Sequence, residues 1–201
     1  LVSFAVSTAN AQKVVSPEFK GTSTEVAMIL PQYNKDGTPD YKSIKETFTK
    51  VEKLIADGTA KAVWALSYGG VSEAIFKMCL GNRTGFVACK ELSSELLFNP
   101  CYGGFIIELS GGASTKGLSI IGVTGGTDII APNGIHLEID KLQAAYEQKL
   151  EPVFPSFPKV TEDKIPTISF HTETPLICRN KTAKPRVLIP VFPGTNCEYD
   201  T

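Results

Sequence analysis

The sequence lacks the cysteine, histidine and apolar patterns that disulfide-rich, zinc-binding and membrane proteins need. Its 201 residues include five cysteines without a CxxC pair, and only two histidines. An odd number of widely spaced cysteines argues against a disulfide framework, and the shortage of histidine argues against a zinc site. No apolar run approaches the roughly 20 residues of a membrane helix. We therefore expect reduced thiols, no bound metal and no membrane partner.

An excess of either charge is also missing. Lys and Arg total 20 and Asp and Glu total 21, which gives a formal net charge of -1. This balance provides no general attraction to nucleic acid or to an anionic membrane. The opening residues LVSFAVSTANA could pass for a secretory signal, but no basic segment precedes them. The expected location is therefore the cytoplasm.

A complete catalytic constellation is missing as well. Nucleophilic catalysis needs Ser or Cys beside His and a carboxylate. His136 adjoins a strand-like run and His171 lies among prolines, so neither is placed like a base. The glycine segments match neither the phosphate loop GxxxxGKS/T nor the dinucleotide pattern GxGxxG. We expect no catalytic residue and no metal ligand in this chain.

What the sequence does contain is the alternation of strands and helices typical of an α/β domain. Strand-like runs stand at 1–8, 25–30, 62–66, 85–88, 104–109, 118–123, 128–130 and 135–137. Apolar residues at helical spacing predict a helix from an Asp40 cap to Gly58. A last helix is predicted to begin at Asp140, with Gln143 completing a capping box, and to reach Leu150.

Between these helices, the segment SYGG at 67–70 joins a strand to a helix that Gly81 ends. Cys79 lies on the apolar face of that helix and is predicted to be a core residue. The turn directs backbone N–H groups and the positive end of the helix dipole to one spot, which suits a phosphate. Ser67, Gly69 and Gly70 are therefore candidate nucleotide- or phosphate-binding residues.

An equally open alternative is that the two glycines only relieve crowding in a tight turn. The other glycine loops, SGGAS at 110–114 and TGGT at 124–127, fall between strands, where glycine serves hairpins and bulges. These two loops are predicted to be structural.

The chain changes character after Glu151. Eight of the thirteen prolines lie between Pro152 and Pro193, and this stretch has neither helical nor strand periodicity. We predict a domain over 1–150, an extended proline-rich linker over 151–184 and the start of another domain over 185–201. In that last stretch, VLIPV at 187–191 is predicted to be a strand that leads into a Pro-Gly turn and Cys197. Without a sheet of its own this strand would have an unpaired edge, so we expect it to be frayed or to pair with the first domain or a neighbouring chain.

Four segments together resemble one enzyme family. In chain order they are LVSFAVSTANAQKVVSPEFK, ALSYGGVSEAIFKMCLGNRTG, GGFIIEL and VLIPVFPGTNCEYD. They resemble the end of the synthetase part of phosphoribosylformylglycinamidine synthase, followed by the first residues of its glutamine amidotransferase domain. This resemblance covers essentially the whole chain. It implies a three-layer α/β/α fold with a mixed sheet, similar to the C-terminal domain of aminoimidazole ribonucleotide synthetase and partly ferredoxin-like.

The resemblance implies part of an ATP-dependent carbon–nitrogen ligase of purine biosynthesis. Members of the family use ATP, Mg²⁺ and glutamine-derived ammonia to convert formylglycinamide ribonucleotide to formylglycinamidine ribonucleotide. Most of their ATP and Mg²⁺ ligands lie in N-terminal domains that this chain does not contain. The implied partners are those synthetase domains, the glutaminase domain and the ribonucleotide substrate. The resemblance therefore implies that the chain is a piece of a larger enzyme and is inactive by itself.

The resemblance also bears on individual residues. Family members read HDxSDGG where this chain reads WALSYGG at 64–70. Ser67, Gly69 and Gly70 match the family pattern, whereas Ala65 replaces an Asp that helps to hold Mg²⁺. Alanine cannot ligate a hard cation, so no metal site is expected at this turn. The family's nucleophilic cysteine comes later in the amidotransferase domain, which implies that Cys197 is not the nucleophile.

Two other interpretations stay open. The chain could be a non-catalytic scaffolding or protein-binding module of the same fold. It could also be another member of the superfamily, such as a selenophosphate synthetase or a hydrogenase maturation factor, although these should not continue into PGTNC.

Overall fold

The computed structural model describes residues 4–157, 164, 166–174, 177, 179, 181, 183–184 and 186–197. The chain divides into two compact units, Leu1–Pro158 and Lys159–Thr201. The helices and strands found among the described residues all belong to the first unit. The predicted division into a domain, a linker and the start of a second domain stays a prediction.

The first unit is built on a mixed β-sheet. Its strands are β1 Glu25–Ile29, β2 Ala60–Ala65, β3 Phe86–Ala88, β4 Phe105–Leu109, β5 Ser119–Thr124, β6 Asp128–Ile130 and β7 His136–Glu138. Its helices are α1 Tyr41–Ala56, α2 Gly70–Leu80, α3 Ser94–Phe98 and α4 Ile139–Gln148, preceded by a 3-10 turn at Ala11–Lys13. The sheet order is β2-β4-β1-β5-β3-β6-β7. Neighbouring strands are antiparallel except β3 and β6, which are parallel.

Helices cover both faces of this sheet. Alternate residues of β1 point to opposite faces, so Val26 and Met28 join one core and Ala27 and Ile29 join the other. The first core also contains the apolar face of α2, and the second contains Val51 of α1. The predicted three-layer α/β/α fold with a mixed sheet is confirmed.

The two longest helices follow their sequence signals. The carboxylate of Asp40 accepts a hydrogen bond from the Ser43 N–H at 2.8 Å and caps α1. Gly58, just beyond the helix, takes a positive φ of 70°. In α2, Cys79 is fully buried, and this burial raises the pKa of its thiol to about 12. Cys79 is therefore a core residue and not a reactive thiolate, as predicted.

The first predicted strand is wrong. Residues 4–8 of this run are irregular, and Phe4 and Val6 are exposed. An alternating run becomes a strand only when another strand satisfies its backbone, and none of the described strands pairs with residues 4–8. Residues 187–191, near the end of the chain, are irregular with Val187 and Leu188 exposed, which agrees with the fraying expected of this segment.

Three local predictions also need correction. The N-cap of helix α4 is Glu138, two residues earlier than the predicted cap at Asp140, and Asp140 forms an ion pair with Arg83 instead. Gln143 bonds Glu147, so no capping box forms. The loops 110–114 and 124–127 are not hairpins, because β1 lies between β4 and β5, and β3 lies between β5 and β6. Helix α3 was not predicted.

A buried carboxylate ties the chain before β1 to the sheet. Glu108 of β4 is fully buried. It accepts hydrogen bonds from the N–H of Lys20 at 2.6 Å, the N–H of Gly21 at 2.8 Å and the hydroxyl of Thr24 at 2.7 Å. The Thr24 hydroxyl also contacts the Thr124 hydroxyl of β5 at 2.6 Å. Three donors thus compensate the carboxylate for its loss of water.

Replacing Glu108 should destabilise the fold. In Glu108→Gln an amide N–H₂ group faces backbone donors, so we expect the free energy of unfolding to fall by about 1–3 kcal/mol. Urea unfolding at pH 7 measures the change. The matched control is Glu52→Gln, the same substitution at an exposed position of α1. Equal unfolding midpoints for the two variants would contradict the structural role of Glu108.

Candidate functional site

The SYGG segment forms the predicted turn between β2 and α2. The N–H of Leu66 donates to the carbonyl of Gly104 at 2.8 Å, which fixes the end of β2 beside β4. The carbonyl of Ser67 accepts from the N–H of Gly70 at 3.2 Å and from the N–H of Cys101 at 3.3 Å. The structure thus brings Ser67, Gly69 and Gly70 together in one turn, and their binding role stays a prediction.

A carboxylate from α2 occupies the space above this turn. Glu73 accepts hydrogen bonds at Oε2 from the N–H of Gly69 at 3.0 Å and from the hydroxyl of Ser67 at 3.2 Å. A Cβ atom added to Gly69 would lie 2.4 Å from Glu73 Oε2, so the carboxylate packs directly on the turn. Two of the donors that sequence reasoning assigned to a phosphate are therefore bonded to an internal anion.

Lys77 holds Glu73 in this position. Its ammonium lies 2.7 Å from Glu73 Oε1 and also stands over the rings of Trp64 and Tyr146, with 5.8 Å and 5.5 Å to their centroids. The hydrogen bond from Lys77 is the main reason that the pKa of Glu73 is lowered from its ordinary value. The same bond raises the pKa of Lys77. Both groups are therefore charged at neutral pH.

Gly70 has a structural reason to be glycine. Its φ of +64° is in the left-handed region. A Cβ atom there would lie 2.7 Å from the carbonyl oxygens of Leu97 and Asn99, at the end of α3. The crowding alternative raised by the sequence therefore holds for Gly70.

A cleft of about 780 Å³ opens beside the turn. It lies between α2, the strands β3, β6 and β7, the segment that contains α3, and α4. Most of its lining is apolar. The apolar residues are Ile75, Phe76, Phe86, Ala88, Leu92, Leu97, Phe98, Ile129, Ile130, Ala131, Pro132, Ile135, Leu137 and Leu142. The polar ones, with Gly69, are Ser72, Glu73, Lys90, Glu91, Ser94 and Asn133.

This arrangement suits a ligand with a flat apolar body and a polar end. The apolar lining can take an aromatic ring, and Ser72, beside the turn, places a hydroxyl at one end of the cleft. The chain does not fit a magnesium ion at this turn, because the position at the end of β2 is the exposed Ala65. Within the described parts of the chain, no three His, Cys, Asp or Glu side chains cluster in a way that could hold a metal.

Sequence reasoning missed Glu73, Lys77 and most of the cleft. An acidic residue in the first turn of a helix was a visible signal for Glu73, because carboxylates there commonly bond the preceding N–H groups. No local sequence pattern indicates the cleft, because the residues that line it come from segments far apart in the sequence. His136 bonds Asp128 across β6 and β7 at 2.7 Å, and His171 is exposed.

No protein-family model matches the chain, and no curated protein matches its sequence. Solved structures match its fold. Phosphoribosylformylglycinamidine synthase II from Thermotoga maritima aligns over 78% of this chain and 30% of its own, with 12% identity and a TM-score of 0.56. This chain shares the fold of one part of that enzyme.

Two ligand complexes of PurL from Thermotoga maritima give similar values. The complex with ADP has 12% identity and a TM-score of 0.56, with coverage of 78% and 30%. The complex with FGAR has 10% identity and a TM-score of 0.55, with coverage of 79% and 33%. The chain thus spans about a third of the length of the PurL chains whose fold it shares. Among the helices described here, none has both the length and the apolar character needed to cross a membrane.

The close approach at Gly70 can be separated from the effect of its positive φ. Gly37 also has a positive φ, of 81°, but a Cβ atom there would meet nothing within 4 Å. We expect Gly37→Ala to lower the free energy of unfolding by about 1 kcal/mol, through φ alone. Gly70→Ala should cost a further 1–3 kcal/mol, roughly the cost of overpacking. Urea unfolding of both variants tests this, and equal losses would refute the close contact with Leu97 and Asn99.

Proposed function

We propose that the chain is part of an ATP- and glutamine-dependent carbon–nitrogen ligase that resembles phosphoribosylformylglycinamidine synthase. In this proposal it forms one wall of a nucleotide- or substrate-binding cleft. The observation that carries it is the SYGG turn opening onto an apolar cleft, in a fold shared with PurL structures that contain ADP and FGAR. The sequence resemblance supports the reaction, and the structural likeness supports the fold.

The cleft and the turn have separate roles in this proposal. The nucleobase lies on the apolar lining, where Phe98 and Ile129 offer contact area. The phosphate approaches Ser67, Gly69 and Gly70 at the start of α2. ATP chemistry, Mg²⁺ and glutamine-derived ammonia come from the remaining synthetase and glutaminase domains of a cytoplasmic enzyme. The chain thus positions a ribonucleotide and does not itself break or form bonds.

One observation favours a second candidate, a protein-binding module of the same fold without a nucleotide. Glu73 already bonds the donors of the turn, and the cleft lining is mostly apolar. An apolar cleft with its polar end already satisfied suits side chains of another protein or domain. A nucleotide titration separates the two candidates.

ADP should bind the 201-residue chain at the cleft. We expect ADP to shift the backbone amide resonances of Gly69, Ser72 and Asn133, measured in the ¹⁵N-labelled chain. Phe98→Ala should weaken binding about fivefold to 100-fold, because stacking on a base contributes about 1–3 kcal/mol. Tyr41→Ala, which removes another exposed aromatic ring on α1, is the control. If ADP shifts none of the cleft amides, the protein-binding module is favoured.

The chain alone should hydrolyse neither ATP nor glutamine. The turn lacks a magnesium ligand at Ala65, and no three potential metal ligands cluster in the part of the chain that the structure describes. Phosphate release and glutamate release from the purified chain are the measurements. Turnover that follows the protein through two chromatographic steps would contradict the proposal that the other domains carry out the ATP and glutamine chemistry.

A further inference from the structure

The donors of the SYGG turn already bond an anionic side chain of the same chain, the Glu73 carboxylate of α2. Glu73 bonds the Gly69 N–H and the Ser67 hydroxyl, and its other oxygen bonds Lys77. Backbone N–H groups and a hydroxyl at the start of a helix are the donors that a phosphate uses. The carboxylate therefore stands where a phosphate oxygen would need to be.

Other groups around the turn give an added anion little room. The N–H of Gly70 donates to the Ser67 carbonyl at 3.2 Å and is therefore already bonded. The carbonyl oxygens of Leu97 and Asn99 occupy the space beside the Cα atom of Gly70. With Glu73 in place, a phosphate at the turn would meet a carboxylate on the donors that it needs.

Glu73 is nevertheless able to leave the turn. Its side chain is 26% exposed, and that of Lys77 is 27% exposed, so both can reach solvent by rotation. Moving Glu73 away would return the Gly69 N–H and the Ser67 hydroxyl to a ligand. It would also release the Lys77 ammonium, which lies one helical turn further along α2 and can then face the ligand's charge.

We propose that Glu73 is an internal competitor for phosphate at the SYGG turn and that Lys77 holds it in the competing position. This inference rests on the proposed function, because it assumes that the turn can receive a phosphate. It makes Glu73 the residue that sets how strongly this chain binds an anion. The ligand chemistry is a phosphate group, either free or on a nucleotide.

Inorganic phosphate and ADP, titrated separately at pH 7 into the 201-residue chain, test the competition. Glu73→Gln keeps the side-chain shape and removes its charge. We expect its dissociation constant for phosphate to fall by about tenfold or more relative to wild type, because juxtaposed like charges are strongly unfavourable. The control is Glu95→Gln on α3, the same charge change on an exposed carboxylate that does not bond the turn. That variant should bind phosphate within about twofold of wild type.

Amide hydrogen exchange at Gly69 gives a readout that needs no ligand. In Glu73→Ala the Gly69 N–H loses its acceptor and should exchange faster, while the Glu95→Gln rate stays unchanged. An unchanged Gly69 rate in Glu73→Ala would overturn the inference directly. Unfolding midpoints of all variants, taken beside these measurements, confirm that the comparison is between folded proteins.

The binding results separate this inference from the proposed function. Tighter phosphate binding in Glu73→Gln alone supports the competition. Equal phosphate binding in wild type, Glu73→Gln and Glu95→Gln overturns the competition and leaves the cleft proposal standing. The competition is also overturned, and the cleft proposal kept, if ADP shifts the cleft amides but phosphate binds no variant. If neither ligand affects any variant, both the competition and the nucleotide cleft are wrong.

Discussion

The buried carboxylate of Glu108 is the interaction on which the arrangement of the sheet depends. It lies on β4, beside the interior strand β1, and its three donors come from the short segment that leads into β1. A buried carboxyl group needs such partners, because each donor replaces a hydrogen bond to water that burial removes. The segment is thereby fixed in place, with Phe19 stacked on Phe86 of β3. The hydrogen bonds of Glu108 thus fix the position of the segment before β1, and this segment places Phe19 against Phe86 in the core.

Glu73 uses the same chemistry at the opposite end of the sheet with a different outcome. Both carboxylates accept N–H groups from glycine-containing segments, at Gly21 and at Gly69. Glu108 is fully buried, so its bonds are part of the fold. Glu73 is partly exposed and forms an ion pair with Lys77. Burial therefore distinguishes the carboxylate inside the core from the one at the surface of a cleft.

Local signals in the sequence were sufficient to predict most helices and strands, and also the SYGG turn between β2 and α2. Asp40 and Gly58 marked the ends of α1 because capping depends on neighbouring residues only. The run at 1–8 misled because a strand depends on a neighbouring strand that the run itself does not encode. Helix α3 was too short for a periodic pattern, although Ser93 caps it by accepting from the Leu96 N–H.

The candidate site likewise has a part that the sequence predicts and a part that it does not. The SYGG turn could be predicted, since its residues are consecutive. The cleft could not, because its lining joins α2 to Leu97 and Ile130 through tertiary packing. Glu108 also escaped notice, because a single acidic residue in the apolar run FIIEL reads as a solvent-facing position until its donors are known. Non-local contacts, more than residue type, limit what this sequence reveals.

The interior position of β1, between β4 and β5, limits the order in which the sheet can be built. Its two neighbours, β4 and β5, come much later in the chain, and the hydroxyl contact between Thr24 and Thr124 spans 100 residues. Pairing between strands far apart in the sequence is slow, because closing the long loop between them costs conformational entropy before the strand contacts form. During synthesis β1 therefore has an open edge on both sides until β4 and then β5 have been made. A chain that stops before Thr124 therefore leaves one side of β1 without its complete partner, and β6 and β7, which follow β5 in the sequence, extend the sheet only afterwards.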